Sequence, residues 1–105
     1  MENKEKLEKY IGLCRAAGGA VVGFDLILGE IRGGRAKIVL IASDASDRTK
    51  KQLTDKCTFY SVPHVITEFD AESLGRIIGK SACAAIALNG RGCWAKVAEY
   101  YKENK

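Results

Sequence analysis

Four consecutive apolar, mostly β-branched residues, Ile38-Val39-Leu40-Ile41, constrain the fold of this chain more than any other feature. The run is too short to span a membrane. It shows no alternation of apolar and polar positions, so it reads as a strand covered on both faces. Upstream lies a basic, glycine-rich helix stop, Arg32-Gly33-Gly34-Arg35-Ala36-Lys37. Downstream, Ser43-Asp44-Ala45-Ser46-Asp47 opens a helix that carries Arg48, Lys50 and Lys51. Ligands of open α/β sheets tend to sit at the carboxyl ends of such strands, so that edge is where function is expected.

The remaining chain alternates between the two periodicities. Lys4 to Ala17 predicts a helix with Leu7, Ile11 and Cys14 on one face, stopped by Gly18-Gly19. Ala20 to Val22 predicts a short strand, and Gly23 a turn into a helix built on Phe24, Ile27, Leu28 and Ile31. The buried strand runs from Ile38 to Ala42, and Ser43, Asp44 or Ser46 caps a helix reaching about Lys56. Thr58 to Ser61, extended by Val65-Ile66 beyond Pro63, predicts another strand. Glu72 to Gly79 predicts a short helix burying Leu74, Ile77 and Ile78, followed by a small-residue strand over Ala82 to Leu88. Trp94, Val97, Ala98 and Tyr101 mark a last amphipathic helix. Strands alternating with helices predict a single α/β domain in three layers, α/β/α.

Composition narrows the class of function. With 105 residues there is room for one core, and 47% hydrophobic and 29% charged residues are ordinary for a globular protein. Lysine and arginine total 17 against 13 acids, a formal +4, which permits a polyanion partner without demanding one. The excess is local: Leu28 to Lys56 holds seven basic and four acidic residues, whereas Cys57 to Ala71 holds only the acids Glu68 and Asp70. A nucleic acid is therefore expected to avoid that last segment. Cys14, Cys57, Cys83 and Cys93 form no C-x-x-C pair and have only His64 to join them, so neither zinc nor any other metal or cofactor is expected. Reduced, buried thiols, no signal-like start and no long apolar run fit a cytoplasmic protein.

Several constellations have plain structural readings. Gly18-Gly19-Ala20-Val21-Val22-Gly23 lacks both G-x-G-x-x-G and a following Gly-Lys-Ser/Thr, and reads as helix stop and turn. The backbone N–H groups opening the Phe24 helix can still meet a phosphate. Asp44, Ser46 and Asp47 read as caps before a helix. A hydrolase built on Asp44, Asp47 and His64 lacks any motif linking a nucleophile to a base, so no enzyme is expected. Arg91, in Asn89-Gly90-Arg91-Gly92, fits a solvated turn as well as an anion contact, and Trp94 fits the core.

Taken in order, the landmarks resemble the kink-turn-binding ribosomal protein superfamily, the L-seven-Ae class, and most closely its small bacterial, YlxQ-type branch. The residues concerned are Leu13-Cys14-Arg15-Ala16-Ala17-Gly18, Gly23, Ile31-Arg32, Ala36 through Ser46, and Thr49-Lys50-Lys51. Lys56-Cys57, Val62-Pro63, Leu74-Gly75-Arg76 and Ile78-Gly79-Lys80 complete the set, so the likeness runs from about Leu7 to Trp94. It implies an α/β/α sandwich around a mixed four-stranded sheet, and one ribosomal-protein-like domain over 1–105 that binds structured RNA, kink-turn-like or ribosomal. Translation-related partners, ribosomal proteins among them, and a monomeric state go with that expectation.

RNA-binding members of the superfamily enter the RNA through Asn-Glu-x-x-Lys just after a glycine. The corresponding positions here are Asp25, Leu26 and Gly29, after Gly23, and Ser46 stands where an acid is common. A carboxylate at Asp25 cannot donate as an amide does, and Leu26 cannot accept from a guanine amine. The expected interface is then the Gly23 helix start, with Arg35, Lys37, Arg48, Lys50 and Lys51 as electrostatic support. Phe24 and Phe69 are expected to pack on an unstacked base. The rival expectation is a protein-interaction module of the same fold that has lost specific kink-turn recognition, with Leu26 and Phe24 as its apolar patch.

Overall fold

The Ile38–Ile41 run is strand β2 of a mixed four-stranded sheet, and all four of its residues are buried. The structure, a computed structural model, describes residues 2–89 and 93–103. In chain order the elements are α1 (Glu2–Ala16), β1 (Ala20–Val22), α2 (Phe24–Arg32), β2 (Ile38–Ile41), α3 (Asp47–Phe59), β3 (His64–Ile66), α4 (Ala71–Ile77), β4 (Ala85–Leu88) and α5 (Cys93–Glu103). The strand order is β1-β4-β2-β3. β4 is antiparallel to both β1 and β2, and β3 lies parallel to β2. Helices α2 and α3 pack together on one face, while α1 packs with α4 and α5 on the other. This is the three-layer α/β/α sandwich that the two-sided burial of β2 requires.

The two central strands explain the close layering. Val39 and Ile41 of β2 sit opposite Ala87 and Ala85 of β4, so large side chains face small ones across the pair. Leu40 and Ile38 face Ile86 and Leu88 on the other side of the sheet, and all eight residues are buried. Leu7, Ile11 and Cys14 of α1, Ile27 and Ile31 of α2, and Leu53 and Cys57 of α3 join them at 1% exposure or less. Burial of each such aliphatic side chain contributes about 1.5–3 kcal/mol.

Local chemistry sets the element ends. The Ser46 hydroxyl accepts from the Thr49 N–H and caps α3, and the Asp70 carboxylate does the same for Ser73 at α4. Asp44 does not cap α3; its Oδ1 accepts from the Ala71 N–H, the first of α4, at 2.8 Å and ties the β2–α3 loop to the start of that helix. The expected strand over Thr58 to Ser61 does not form. Helix α3 continues through Phe59, Tyr60 is its C-cap, and Ser61 takes the left-handed conformation at φ 58° while the Val62 N–H donates to the Cys57 carbonyl. The β-propensity of Thr58, Phe59 and Tyr60 gives way to the continuing helix, and only His64–Ile66 pairs with β2. Cys14 and Cys57 are buried, Cys83 is half-buried, and none of the three is in a disulfide. Burial pushes the Cys57 thiol up to about 11. Arg91 and the Cys93 side chain lie outside what is described.

Gly75 fixes the segment that crosses α4 on its way to β4. A Cβ at this position would stand 2.5 Å from the Ala82 Cα and 2.6 Å from its nitrogen. The chain is held against the helix by hydrogen bonds from the Lys80 N–H to the Gly75 carbonyl and from the Cys83 N–H to the Ala71 carbonyl. Gly75→Ala is expected to destabilise the fold by about 1–3 kcal/mol despite the better helix propensity of alanine, because backbone must move. Gly29→Ala, where a Cβ meets nothing within 4 Å, is expected to stabilise by about 0.5–1 kcal/mol. Urea-unfolding midpoints of the two variants, moving in opposite directions, check this.

Candidate nucleic-acid interface

The strand registers divide the polar loops between two edges of the sheet. Val22, Ile41, Ile66 and Ala85 mark one edge, and Ala20, Ile38, His64 and Leu88 the other. The first edge therefore carries Gly23 and the start of α2, the 42–46 turn, the 67–70 loop and the 79–84 loop. Ala42 joins this side through its N–H bond to the Ala84 carbonyl. This is the carboxyl edge of β2, where the sequence points.

A groove of about 630 Å³ opens there. Phe24 and Ile27 of α2 form one wall, Arg48, Thr49, Gln52 and Leu53 of α3 the other, and Lys80 with Ala82 to Ala85 the floor. Gly23 makes the α2 entry possible. Its φ of 97° lies where side-chain-bearing residues are strained, and its carbonyl accepts the first intrahelical bond, from the Ile27 N–H at 2.9 Å. No side chain caps α2, so the N–H groups of its first turn retain their donor capacity and the positive end of its dipole. Asp25, in that first turn, is exposed and supplies the opposing charge. Arg48 and Lys80 flank the same space as exposed cations.

Of the residues expected at an interface, Gly23, Phe24 and Arg48 line this groove. Asp25 and Leu26 lie on the first turn of α2 beside it, and Gly29 is one turn further along the same helix. Leu26 is 66% exposed and Phe24 37%. Ser46 lies next to the groove with its hydroxyl committed to Thr49, accepting from its N–H at 3.1 Å and donating to its Oγ1 at 2.9 Å.

Other expected residues lie elsewhere. Phe69 is 1% exposed, so it belongs to the core and has no face to offer a base. It is held there because the Thr67 hydroxyl, itself buried, donates to the Ile41 carbonyl and accepts from the Phe69 N–H. Arg35 and Lys37 lie at the opposite edge, where the Lys37 N–H donates to the Leu88 carbonyl. Arg35 is occupied by Glu30, Nε to Oε2 at 2.8 Å, and by the Gly29 carbonyl. On α3, Lys50 is about 160° round the helix from Arg48 by the usual 100° per residue. Lys51 makes an exposed pair with Asp55 at 3.5 Å. Asp44 and His64 lie at opposite edges, so the Asp44/Asp47/His64 set does not assemble, and the His64 Nδ1 instead lies 3.1 Å from the Val62 carbonyl. No cluster of potential metal ligands is found among the described residues.

Lys80 and Gln52 are the members that sequence reasoning missed. Lys80 is visible in Ile78-Gly79-Lys80, but only the positive φ of Gly79, 75°, turns it off the end of α4 toward the groove. Gln52 follows Arg48 by four residues, the spacing of one helix face.

Comparison with known proteins identifies the family and the fold. Residues 5–97 match the ribosomal protein L7Ae/L30e/S12e/Gadd45 family. The chain is 46% identical over 82 residues to the RNA-binding protein YlxQ of Bacillus subtilis, covering 78% of this chain and 81% of that protein. It is 40% identical over 78 residues to the RNA-binding protein YlxQ of Enterococcus faecium, covering 74% and 75%. Among solved structures, a Bacillus halodurans protein described as of unknown function superposes with a TM-score of 0.86 at 30% identity, over 92% of this chain and 97% of that one. The Giardia lamblia 15.5kD RNA binding protein shares the fold, with a TM-score of 0.80 at 21% identity over 98% and 88%.

The far edge makes its own acid-side prediction. The Arg35 hydrogen bond holds the Glu30 carboxyl below its ordinary 4.5, against the upward push of burial and with help from Asn89 and the Arg35 charge. A lowered folded value adds stability above the unfolded value near 4.5 and loses it as pH falls through the folded one. Arg35→Ala is therefore expected to move Glu30 upward and to flatten the acid limb of stability. Carboxyl-detected NMR titration and unfolding below pH 4.5 check both.

Proposed function

Because the chain belongs to the ribosomal protein L7Ae/L30e/S12e/Gadd45 family, we propose that it is a non-enzymatic RNA-binding protein that takes a kink-turn-like or ribosomal RNA into the groove between α2 and α3. One observation carries the reading: the uncapped amino end of α2, Arg48 and Lys80 converge on a single groove at the carboxyl edge of the sheet. The first-turn N–H groups offer donors for phosphate oxygens, and the two cations neutralise neighbouring phosphates. Phe24, 37% exposed on the α2 wall, offers the groove an apolar face for an unstacked base. The ribosomal character of the family supports an RNA partner from the translation apparatus, and hence a cytoplasmic setting.

The chemistry of α2 shifts recognition from base edges toward shape and backbone. Asp25 offers acceptors only, Leu26 offers neither donor nor acceptor, and Gly29 offers no cation. Selectivity for a kink over a straight duplex then comes from the shape of the groove and from stacking. Leu26, 66% exposed beside Phe24, favours the second reading, a protein partner docked on the same helix start. A partner of that kind would compete with RNA for α2.

Titration of the protein with a kink-turn RNA and a duplex control, across a range of salt, tests the proposal. Tighter binding of the kink-turn is expected. Arg48→Ala and Lys80→Ala are each expected to weaken it and to reduce the salt slope by roughly 0.7–0.9, one phosphate contact apiece. Lys51→Ala and Arg35→Ala are expected to leave it unchanged. Leu26→Glu with Gly29→Lys is expected to widen the preference for the kink-turn. Equal, negligible binding of both RNAs at low salt would sink the proposal.

A further inference from the structure

Beyond the main groove, α2 and α3 enclose a second one of about 390 Å³, lined by Phe24, Leu28, Gln52, Asp55, Lys56 and Phe59. The two grooves share Phe24 and Gln52, so they form one continuous track along the α2–α3 seam. Arg48, Gln52, Lys56 and Phe59 follow one another at four, four and three residues, which places them on a single stripe of α3. The main groove uses the first half of that stripe. The second half is left without any assigned role.

Phe59 is 77% exposed, the most exposed large hydrophobic side chain among the described residues. Its ring is braced by Tyr60, edge to face with centroids 4.9 Å apart at 78°. Phe24 faces the seam from α2 and is partly exposed. Lys56 adds an exposed cation beside the aromatics, while the neighbouring acid, Asp55, is paired with Lys51. Aromatic faces interleaved with cations along a track are the features of a single-strand platform, in which bases stack and phosphates follow the charges. Arg48 and Lys56 are about 12 Å apart along the helix, so both can meet one short stretch of strand.

We infer that the second groove is a subsite for an unpaired RNA segment that leaves the main groove, with one base stacking on Phe59 and Lys56 holding an adjacent phosphate. This inference rests on the RNA-binding reading of the main groove. Continuity with that groove and the presence of Lys56 favour a strand of RNA over a protein or a second copy of the chain.

The test compares a blunt kink-turn RNA with the same RNA carrying a single-stranded uridine extension at its 5′ or 3′ end. Wild-type protein is expected to prefer one extended RNA by between about fivefold and a hundredfold, the range for one stacked base. Phe59→Ala is expected to abolish that preference and leave the affinity for blunt RNA intact, and Phe59→Tyr to retain it. Lys56→Ala is expected to lower the salt slope only for the extended RNA. Binding of blunt RNA with no gain from either extension would overturn the subsite while the main proposal stands. So would a Phe59→Ala variant that weakens both RNAs alike. Failure of the blunt RNA to bind would instead sink the main proposal, and the subsite with it. Self-association in sedimentation that Phe59→Ala abolishes would assign the groove to a second copy and overturn the subsite.

Discussion

The packing of β2 against β4 governs the rest of the molecule. Both strands are buried on both faces, so neither can lie at a solvated surface, and the chain must supply helices above and below them. Their antiparallel register, Ile38 with Leu88 and Ile41 with Ala85, also decides which loops meet. Together with the β1–β4 pairing it brings the end of β1, the end of β2 and the start of β4 to one edge, and sends Arg35, Lys37 and Asn89 to the other. A shift of one residue would reverse the facing of each side chain in β4 and crowd Ile86 and Leu88 onto the face where Ala85 and Ala87 now make room for Val39 and Ile41. The composition of that edge is thus a consequence of core packing.

Two glycines convert the edge into a groove. Gly23 bends the chain from β1 into α2 at a positive φ, leaving the first helical turn without a side-chain cap. Gly75 lets the 80–84 loop lie directly on α4, bringing Lys80 across from Arg48. The other two helix starts near this edge are satisfied internally, by Ser46 and by Asp70. Donor capacity is therefore concentrated at α2, and it is there that the proposed RNA would find its first contacts.

Much of this organisation was legible in the sequence, because it rests on short-range signals. The unbroken Ile38–Ile41 run, the Gly18-Gly19 stop, the spacing of Phe24, Ile27, Leu28 and Ile31, and the Ser46 cap each have a local cause and a local reading. Three features did not, each for a different reason. Thr58 to Tyr60 have strand-like propensities, and the continuing helix overrides them. Phe69 is a lone aromatic in a loop, with no periodicity to show that Thr67 and the end of β2 draw it into the core. Arg35 and Lys37 are as basic as Arg48 and Lys80, and only the register between distant strands separates the two pairs. Charge can be counted along a chain, but its convergence is a property of topology.

The same distinction bears on recognition. Asp25, Leu26 and Gly29, which stand where the resemblance implies base-edge readers, are plain from the sequence because each is a single residue at a fixed helix position. Shape and stacking depend on how α2, α3 and the 80–84 loop enclose space, which only the fold displays. The central claim, that the groove of Gly23, Arg48 and Lys80 is the RNA-contacting face, is tested most directly by backbone amide chemical-shift mapping during titration with a kink-turn RNA. Perturbations concentrated at residues 23–27, 48–52 and 80–84 are the predicted result. A response centred instead on residues 35–38 and 88–89, at the opposite edge of the sheet, would contradict it.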